Sequence, residues 1–317
     1  MIARCAALAL LLYAAAAAGA EQAHRVYKIG VLNEAWSANH PTVEGLKAGL
    51  RDWGYTEGQD VTYDIRFTKG DPAANQEEAA ALVKAGVDLI FTSNESATLA
   101  ARKATDRIPI VFTLIGDPVT PGVVASLART GNNLTGISSR AIALAPKRLE
   151  MLKMLAPKMR RVWFIHHVTD ITGWGALDHI RIAAPKLNIE LIVRTVNNEQ
   201  ERDSALKGIL PGDGVLAPEV DTLDIPAKIL EIARSPSIFP TALWVEHGAI
   251  ISYGPGLRAQ GVQAARLVAK ILRGTRPQDL PVESADRIDL AINLNTARQM
   301  ALTVPPRILV RANVVQR

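Results

Sequence analysis

The chain of 317 residues contains a single cysteine, Cys5. This cysteine lies next to an apolar run at 6–18, which follows one basic residue, Arg4, and ends in the small residues of 18–20. That order of features is typical of a secretory signal peptide, so we expect residues 1–20 to be removed. The remaining chain would then have no disulfide, no cysteine nucleophile and no thiolate metal site.

Long hydrophobic runs are also scarce. The run at 6–18 is shorter than the roughly 20 residues that a membrane-spanning helix needs, and no later run approaches that length. An N-terminal membrane anchor is the alternative to a signal peptide, but polar sequence begins directly after residue 20. The sequence therefore predicts an exported, periplasmic protein that is soluble once it has been processed.

The sequence has little excess charge of either sign, with 36 basic and 31 acidic residues and a formal net charge of +5. Its basic residues are scattered, and the densest run, at 158–161, lies between a predicted helix and a predicted strand. A nucleic-acid-binding surface needs basic residues that are clustered on one face. We therefore predict a solvated turn for this run and no nucleic-acid partner.

Catalytic motifs are missing as well. The chain has no G-x-S-x-G elbow, no phosphate-binding G-x-x-x-x-G-K-[ST] loop and no H-E-x-x-H helix. His166 and His167 are adjacent on a predicted strand and would point to opposite faces, so they do not predict a metal site. Gly254-Pro255-Gly256 predicts a tight turn rather than a dinucleotide fingerprint. These absences favour a non-enzymatic protein without a cofactor or metal.

Short β-rich runs alternate with longer helical patterns along the rest of the chain. The predicted strands are 27–32, 61–67, 88–92, 109–113, 134–137, 161–165, 190–196, 213–216, 249–253 and 288–292. The predicted helices are 42–54, 72–85, 96–106, 119–128, 146–155, 175–187, 200–209, 225–234, 257–273 and 295–301. This alternation is typical of parallel sheets with helices on both faces. Because the pattern starts again after residue 138, it predicts an α/β protein with two doubly wound, Rossmann-like lobes.

The loop after the third predicted strand is a candidate ligand site, because ligands of doubly wound sheets bind at the carboxyl ends of the strands. It contains Thr92, Ser93, Asn94 and Ser96, directly ahead of or at the start of a helix. Hydroxyl groups and free N–H groups at a helix N-terminus can hold a carboxylate. Ordinary N-capping by Ser93, Asn94 or Ser96 is the alternative, and the two roles are compatible.

Other predicted strand ends carry polar and aromatic candidates. Asn33 and Trp36 follow the first strand, and Asp117 after the fourth either caps the next predicted helix or faces a ligand amine, with capping favoured. The candidates in the second half are His166, Asp170, Glu219, Asp221, Trp244 and Glu246. For a zwitterionic ligand, we expect helix N-terminal N–H groups to bind the carboxylate, and Glu219 or Asp221 to bind the ammonium group.

An ordered set of short motifs runs from Ile29 to Ala297, and the resemblance that it carries covers nearly all of residues 27–317. The motifs are Ile29-Gly-Val-Leu32, Gly45-Leu-Lys-Ala-Gly-Leu50 with Gly54-Tyr55 and Gly58, Asp88-Leu-Ile-Phe91, Ile108-Pro-Ile-Val-Phe112 with Asp117-Pro118-Val119, Asn132-Asn-Leu-Thr-Gly136, Ser252-Tyr-Gly-Pro255, Ile271-Leu-Arg-Gly274 with Pro277 and Leu280-Pro281, and Ile292-Asn293-Leu294 with Ala297. Through this set the chain resembles the ABC transporter substrate-binding protein family that includes tryptophan- and tyrosine-binding members.

The resemblance implies a type I periplasmic-binding-protein fold, in which two lobes joined by three crossings close as hinged bodies around a solute. The predicted lobes comprise 27–138 with 252–284, and 139–251 with 285–317. The resemblance also implies that the protein delivers a small molecule to an ABC permease and its ATPase. The oligomeric state stays open, although a monomer suits such delivery. A periplasmic sensing module, which presents the solute to a receptor, is the alternative.

Two departures from the family lie at the expected pocket. The chain has His166-His-Val-Thr-Asp170 where amino-acid-binding members have an Asn-Pro-Ser-Glu type of loop. It has Ala217-Pro-Glu-Val-Asp221 where those members have a Pro-Thr-Asp type of turn. The loop at 92–96 and Asp117 would still face the ligand from the first lobe. The resemblance therefore predicts the fold without carrying over specificity for aromatic amino acids.

Overall fold

The computed structural model describes residues 25–34, 39–69, 71, 73–220, 222–233 and 235–317. Within these residues the chain forms two β-sheets, one of six strands and one of seven. The predicted signal peptide, Trp36 and Asp221 lie outside the described residues. Among the helices of the described part, none combines the length and the apolar character needed to cross a bilayer.

Strands and helices alternate through most of the described chain. In chain order the strands are β1 (Tyr27–Asn33), β2 (Val61–Phe67), β3 (Leu89–Ser93), β4 (Ile110–Ile115), β5 (Leu134–Ser138), β6 (Arg161–His167), β7 (Glu190–Val196), β8 (Gly214–Leu216), β9 (Ser237–Phe239), β10 (Ile251–Pro255), β11 (Glu283–Ser284), β12 (Ile288–Asn293) and β13 (Val314–Gln316). The helices are α1 (Pro41–Asp52), α2 (Ala74–Lys84), α3 (Glu95–Ala104), α4 (Ala141–Leu155), α5 (Ile171–Lys186), α6 (Glu199–Lys207), α7 (Ile225–Ile232), α8 (Leu243–Glu246), α9 (Leu257–Leu272), α10 (Leu294–Gln299) and α11 (Pro306–Leu309).

The first sheet has the strand order β11-β5-β4-β3-β1-β2, and all its strands are parallel. The order reverses where β1 lies between β2 and β3. Asn33 at the end of β1 pairs in register with Ser93 at the end of β3. Because crevices for ligands form where the strand order reverses, these two strand ends are the expected floor of a site in this sheet.

The second sheet has the strand order β13-β12-β10-β9-β8-β6-β7. Its strands are parallel except for the antiparallel pair of β10 and β12. The order reverses at β6, which pairs with β7 on one side and with β8 on the other. The second expected ligand crevice therefore lies beyond the ends of β6 and β8.

Helices cover both faces of each sheet, and each face has its own hydrophobic core. In the first sheet, Leu46 of α1 and Val268 of α9 belong to the cluster around Phe91, whereas Leu82 of α2 belongs to the cluster around Phe112. The second sheet likewise has one cluster against α4 and α5 and another against α6 and α7. Burial of these faces on both sides is the main source of stability for such layered folds. We call each sheet with its helices a lobe.

Helix α9 packs against α1 at unusually short range because both helices carry glycine at the contact. A Cβ added to Gly49 of α1 would lie 2.6 Å from Cβ of Ala265 and 2.9 Å from the backbone oxygen of Val262. Cβ atoms at Gly45 of α1 and Gly261 of α9 would likewise collide with the opposing backbone. Helix α9 is therefore fixed to the first lobe, although it directly follows a strand of the second sheet.

The described chain passes between the lobes three times. The passages lie between β5 and α4, at Gly256 between β10 and α9, and between β11 and β12. The predicted lobe boundaries remain a prediction, but residues 252–255 pair in the second sheet rather than in the first. The predicted passage into the first lobe, before residue 252, therefore precedes the passage at Gly256 by a few residues.

One predicted helix is wrong. Residues 119–128 form turns and bends instead of a helix. Pro121 lacks the N–H that a helix interior needs, and Gly122 adopts a left-handed φ of 72°. The apolar residues of this segment include Val123 and Val124, and both are buried in the core of the first lobe. Their burial does not require a helix, because the irregular backbone places them there.

Candidate functional site

The carboxyl ends of the two sheets face one another, and the lobes are in contact there. A Cβ added to Gly116, after β4, would lie 2.8 Å from Cγ2 of Thr172 and 3.3 Å from Cβ of Ala141. Thr172 and Ala141 belong to α5 and α4 of the second lobe. The strand ends of both sheets therefore border one narrow cleft, which Gly116 allows to close.

The loop after β3 combines capping with structural burial. Asn94 adopts a φ of 87°, and its Oδ1 accepts a hydrogen bond of 3.0 Å from the N–H of Ala97. This confirms the capping alternative for Asn94. Thr92 is fully buried and its hydroxyl lies 2.7 Å from that of Thr98, while Ser93 is also buried at the end of β3. Thr92 therefore has a structural role inside the first lobe.

Ser96 belongs to a polar network at the carboxyl end of the first sheet. Its hydroxyl accepts a 3.0 Å hydrogen bond from Nδ2 of the fully buried Asn75, which also donates to the carboxylate of Glu34. Asn33, at the end of β1, is buried beside this network. The network fixes the loops after β1 and β3 relative to each other.

Asp117 acts as the cap of a turn, which is the role favoured from the sequence. Its carboxylate accepts hydrogen bonds from the N–H groups of Val119 and Thr120, at 2.8 and 3.2 Å, and from the Thr120 hydroxyl. Although burial alone would raise it, these hydrogen bonds hold the pKa of Asp117 below its usual value. Asp117 is therefore an anion at neutral pH.

Asp170 caps α5 with one carboxylate oxygen and leaves the other oxygen buried. Oδ1 accepts a 2.8 Å hydrogen bond from the N–H of Gly173, but Oδ2 has no hydrogen-bond partner among the described residues, and the residue is only 4% exposed. Burial raises the pKa of Asp170 to about 7, and the carboxylates of Glu219 and Glu95 contribute to the rise. Glu95 belongs to the other lobe, so the pKa of Asp170 depends on a charge on the opposite side of the cleft.

His166 is packed inside the second lobe next to Asp170. Its ring stacks on Phe164 at 5.3 Å between centroids and meets the edge of Trp174 at 4.5 Å. Burial lowers the pKa of His166 to about 4, so the ring is neutral at physiological pH. Nδ1 of His166 would lie 3.0 Å from a Cβ at Gly173, and such a Cβ would also collide with Asp170. A glycine is therefore required here.

Glu219 forms a buried ion pair with Arg148 of α4, at 3.4 Å between Oε2 and Nη1. The side chains are 12% and 3% exposed. Burial raises the pKa of Glu219 against the opposing effect of Arg148, and burial lowers the pKa of Arg148. The carboxylate that we expected to bind a ligand ammonium group therefore already has a counter-charge within its own lobe.

The remaining candidates lie apart from this cluster or outside the described residues. Trp244 packs against Phe239 at 5.6 Å between ring centroids, and it adjoins the core of the second lobe. Glu246, at the end of the same short helix, is exposed. Trp36 and Asp221 are not among the described residues. The structure thus brings together Asp117, Asp170 and Glu219 with Glu95, and it does not add Trp244 or Glu246.

Glu95, Arg148 and Gly116 are the cleft residues that the sequence analysis missed as functional residues. Glu95 is the first residue of α3, and burial followed by the charge of Asp117 raises its pKa. Its place at a helix N-terminus after a strand was a usable signal. Arg148 gave no comparable signal, because its partner is distant in sequence and an arginine within a helix normally faces solvent.

The ionisation of Asp170 predicts a pH-dependent difference between the wild type and Asp170→Asn. The folded pKa of about 7 exceeds the ordinary value of 3.8, so the folded wild type binds more protons than the unfolded chain between these values. The free energy of unfolding of the wild type, minus that of the variant, should therefore fall as the pH rises through this window and stay constant above it. Urea denaturation at several pH values measures this difference without added solute.

His40 and His166 also titrate abnormally, with pKa values lowered by burial to about 4, but both remain in the variant. Their effects therefore cancel in the difference. Asn at position 170 can still accept the hydrogen bond from Gly173, which preserves the cap. A difference that rises with pH, or one that does not change, would contradict the assignment of a raised pKa to Asp170.

Comparison with known proteins gives a family match over most of the chain. Residues 35–316 match the model of a family described as ABC transporter substrate binding protein. A tyrosine-binding protein from Clostridioides difficile is 28% identical over 270 residues, which cover 82% of this chain and 78% of that protein.

Solved structures share the fold. A conserved domain protein from Vibrio cholerae is 28% identical, with a TM-score of 0.79 over 92% of this chain and 100% of that one. An ABC domain from Streptococcus pneumoniae in complex with L-Trp has the same TM-score of 0.79 and the same coverage at 23% identity. An ABC transporter solute binding protein from Agrobacterium vitis with bound allitol, 13% identical, has a TM-score of 0.60 over 88% of this chain and 99% of that one. The fold is that of the type I periplasmic binding proteins.

Proposed function

The chain belongs to the ABC transporter substrate binding protein family, and we propose that it captures a small polar solute between its lobes for an ABC importer. Proteins of this family bind solutes and are not enzymes. Capture would proceed by closure of the lobes, because a solute stabilises whichever arrangement it contacts better. The partners would be a membrane permease and its ATPase, which receive the solute from the closed protein.

The observation that carries the proposal is the meeting of both sheets at their carboxyl ends. Gly116 of the first lobe lies against Thr172 of the second, and Asp170 responds to the charge of Glu95 across the cleft. A solute between these strand ends would contact both lobes at once. Contacts of that kind exist only when the lobes are closed, so they favour the closed arrangement.

The names of two relatives support an amino acid or a related carboxylate as the solute class. One relative is a tyrosine-binding protein, and another was solved with L-Trp. In the present chain the first turn of α3 supplies N–H groups, at Glu95 and Ser96, that have no carbonyl partner within the helix. These groups suit a ligand carboxylate. The segment 1–20 supports export to the periplasm, and delivery to a permease suits a monomer.

A thermal-shift screen tests the proposal directly. The panel should contain amino acids, amines, small carboxylic acids, sugars and aromatic acids, each at millimolar concentration. A true ligand at about a hundred times its dissociation constant adds about 2.7 kcal/mol to the free energy of unfolding, which is easily measured. Small-angle scattering with and without the ligand should then show a smaller radius of gyration for the complex.

Two results would overturn the proposal. The first is a complete panel without any stabilising compound. The second is chemical conversion of a bound compound, followed by chromatography after prolonged incubation with the protein. Binding that leaves the radius of gyration unchanged would retain solute capture but reject closure as its mechanism.

A further inference from the structure

Acidic side chains outnumber basic ones at the cleft. Glu95 and Asp117 follow β3 and β4 of the first lobe, and Asp170 and Glu219 follow β6 and β8 of the second. Among the described residues, Arg148 offsets Glu219, whereas no lysine or arginine contributes to the pKa values of Glu95, Asp117 or Asp170. Among the described residues, acidic groups therefore outnumber basic partners at the cleft, although the raised pKa of Asp170 leaves its carboxyl group partly protonated near pH 7.

These carboxylates belong to one place in the structure. The N–H of Asn94 donates to the backbone oxygen of Thr113 at 3.0 Å, which holds the ends of β3 and β4 together. Gly116 follows Thr113 closely and lies against Thr172, which is two residues from Asp170. The segments that carry the acidic groups of the two lobes are thus in contact at Gly116 and Thr172, and the pKa of Asp170 responds to the charge of Glu95.

Asp170 supplies a second, independent sign of a ligand. Its Oδ2 is buried and has no hydrogen-bond donor among the described residues. A buried carboxylate oxygen without a donor is unfavourable by several kcal/mol or forces the group to bind a proton. A positively charged N–H donor from a solute would satisfy this oxygen and favour its ionised form.

The sequence directly after Glu34 and the residue two positions after Glu219 add no positive charge. Residues 35–38 carry no charge, and residue 221 is an aspartate. In the described part of the chain, no three His, Cys, Asp or Glu side chains converge closely enough to hold a metal ion. A ligand that balances these carboxylates is therefore better matched by an extended organic cation than by a metal ion.

We propose that the solute is a small organic cation, an amine or guanidinium compound with a net positive charge, whose cationic groups lie between Glu95 of the first lobe and Asp170 of the second. The inference rests on the proposed solute capture, but it makes a net positive charge the feature that the site recognises and no longer requires the carboxylate that the names of the relatives suggest. A net-neutral aromatic amino acid brings one ammonium group together with its own carboxylate, so it would leave the excess of acidic groups in place. A compound with a second cationic group offsets that excess on closure.

Isothermal titration calorimetry with six probes tests the inference. L-Arginine, agmatine and putrescine are the cations, L-tyrosine and L-tryptophan are the neutral aromatic amino acids, and L-glutamate is the anion. At least one cation should bind at least about tenfold more tightly than the other three probes, as expected for one charge-assisted contact. Its affinity should fall with rising salt concentration.

Two variants locate the cation, and a third serves as the control. Asp170→Asn keeps the cap of α5, and Glu95→Gln keeps the size of the side chain; each should weaken cation binding by about tenfold or more. Asp178→Asn changes the charge of the same helix by the same amount at a side chain that is 80% exposed, and it should leave the affinity within about twofold. A cooperative thermal transition in the absence of solute establishes that each variant is folded; the melting temperature of Asp170→Asn need not equal that of the wild type.

Proton release gives a readout that a structural role for Asp170 would not produce. A bound cation lowers the pKa of Asp170 from about 7, so binding near pH 7 should release part of one proton. Titrations in two buffers with different ionisation enthalpies measure this release, and Asp170→Asn should abolish it.

The outcomes separate this inference from the proposed function. Binding of a neutral, aromatic or anionic probe, with no binding of any cation, overturns the inference and leaves solute capture standing. Cation binding that neither Asp170→Asn nor Glu95→Gln weakens overturns the assigned site. If no compound in this set or in the wider screen binds, both the inference and the proposed function fail.

Discussion

Replacement of Arg148 by methionine is expected to lower the free energy of unfolding by about 3–5 kcal/mol, which is the usual effect of removing one partner of a buried ion pair. The Arg148 side chain is 3% exposed and lies 3.4 Å from the Glu219 carboxylate. Methionine fills much of the same volume, so the loss would come from the uncompensated carboxylate rather than from a cavity. Urea denaturation slightly above pH 7 measures the effect.

Two further variants show whether the charge is responsible. In the double variant Arg148→Met with Glu219→Gln, most of the lost stability should return, because no buried charge remains without a partner. Arg276→Met removes a partner from the exposed pair with Asp279 and should change stability by no more than about 1 kcal/mol. The deficit of Arg148→Met should also shrink as the pH falls, because a protonated Glu219 needs no counter-charge. A double variant as unstable as the single one would contradict this account.

Gly116→Ala is expected to weaken solute binding by about 5- to 150-fold, which corresponds to about 1–3 kcal/mol of overpacking in the closed arrangement alone. The new Cβ would lie 2.8 and 3.0 Å from Cγ2 and Oγ1 of Thr172. The backbone of Gly116 has a negative φ, so alanine introduces no backbone strain. Opening of the cleft relieves the collision, and the solute-free protein should therefore keep its melting temperature.

Thr172→Ala provides the matched rescue. It removes both side-chain atoms of Thr172 that the new Cβ would approach, and the double variant should recover most of the affinity. Calorimetry of the single and double variants with the best ligand from the screen measures this recovery. A Gly116→Ala protein with unchanged affinity and a lower melting temperature would show that the contact between the lobes is permanent and that the cleft does not close on its solute.

Much of the fold could be predicted from the sequence because its signals are local. The strands at 61–67 and 190–196 have the predicted bounds, since both are runs rich in β-branched and aromatic or aliphatic residues between turns. Ser237–Phe239 was missed because it is a short strand between Pro236 and Pro240, and closely spaced prolines are typical of a loop. The helix predicted at 119–128 failed because the turn residues Pro121 and Gly122 outweigh the apolar spacing around them.

The cleft was predictable only in part. Asp117 and Asp170 stand where strands end and helices or turns begin, and position alone marked them as candidates. The burial of Asp170 and its electrostatic interaction with Glu95 depend on how the lobes pack together. No local sequence pattern contains that information. Arg148 and Glu219 are 71 positions apart, so their pairing also became visible only in three dimensions.

The packing of α9 against α1 has a consequence for biosynthesis. A growing chain that has reached residue 250 already contains β1 to β5, but it lacks α9 and β11, which complete that sheet and cover Leu46 and Phe91. The glycine-lined side of α1 then has no neighbour to fill it. Contacts between residues so distant in sequence form late and slowly. The lobe that the ribosome begins first thus stays incomplete until β11 has been made, after most of the second lobe has been synthesised.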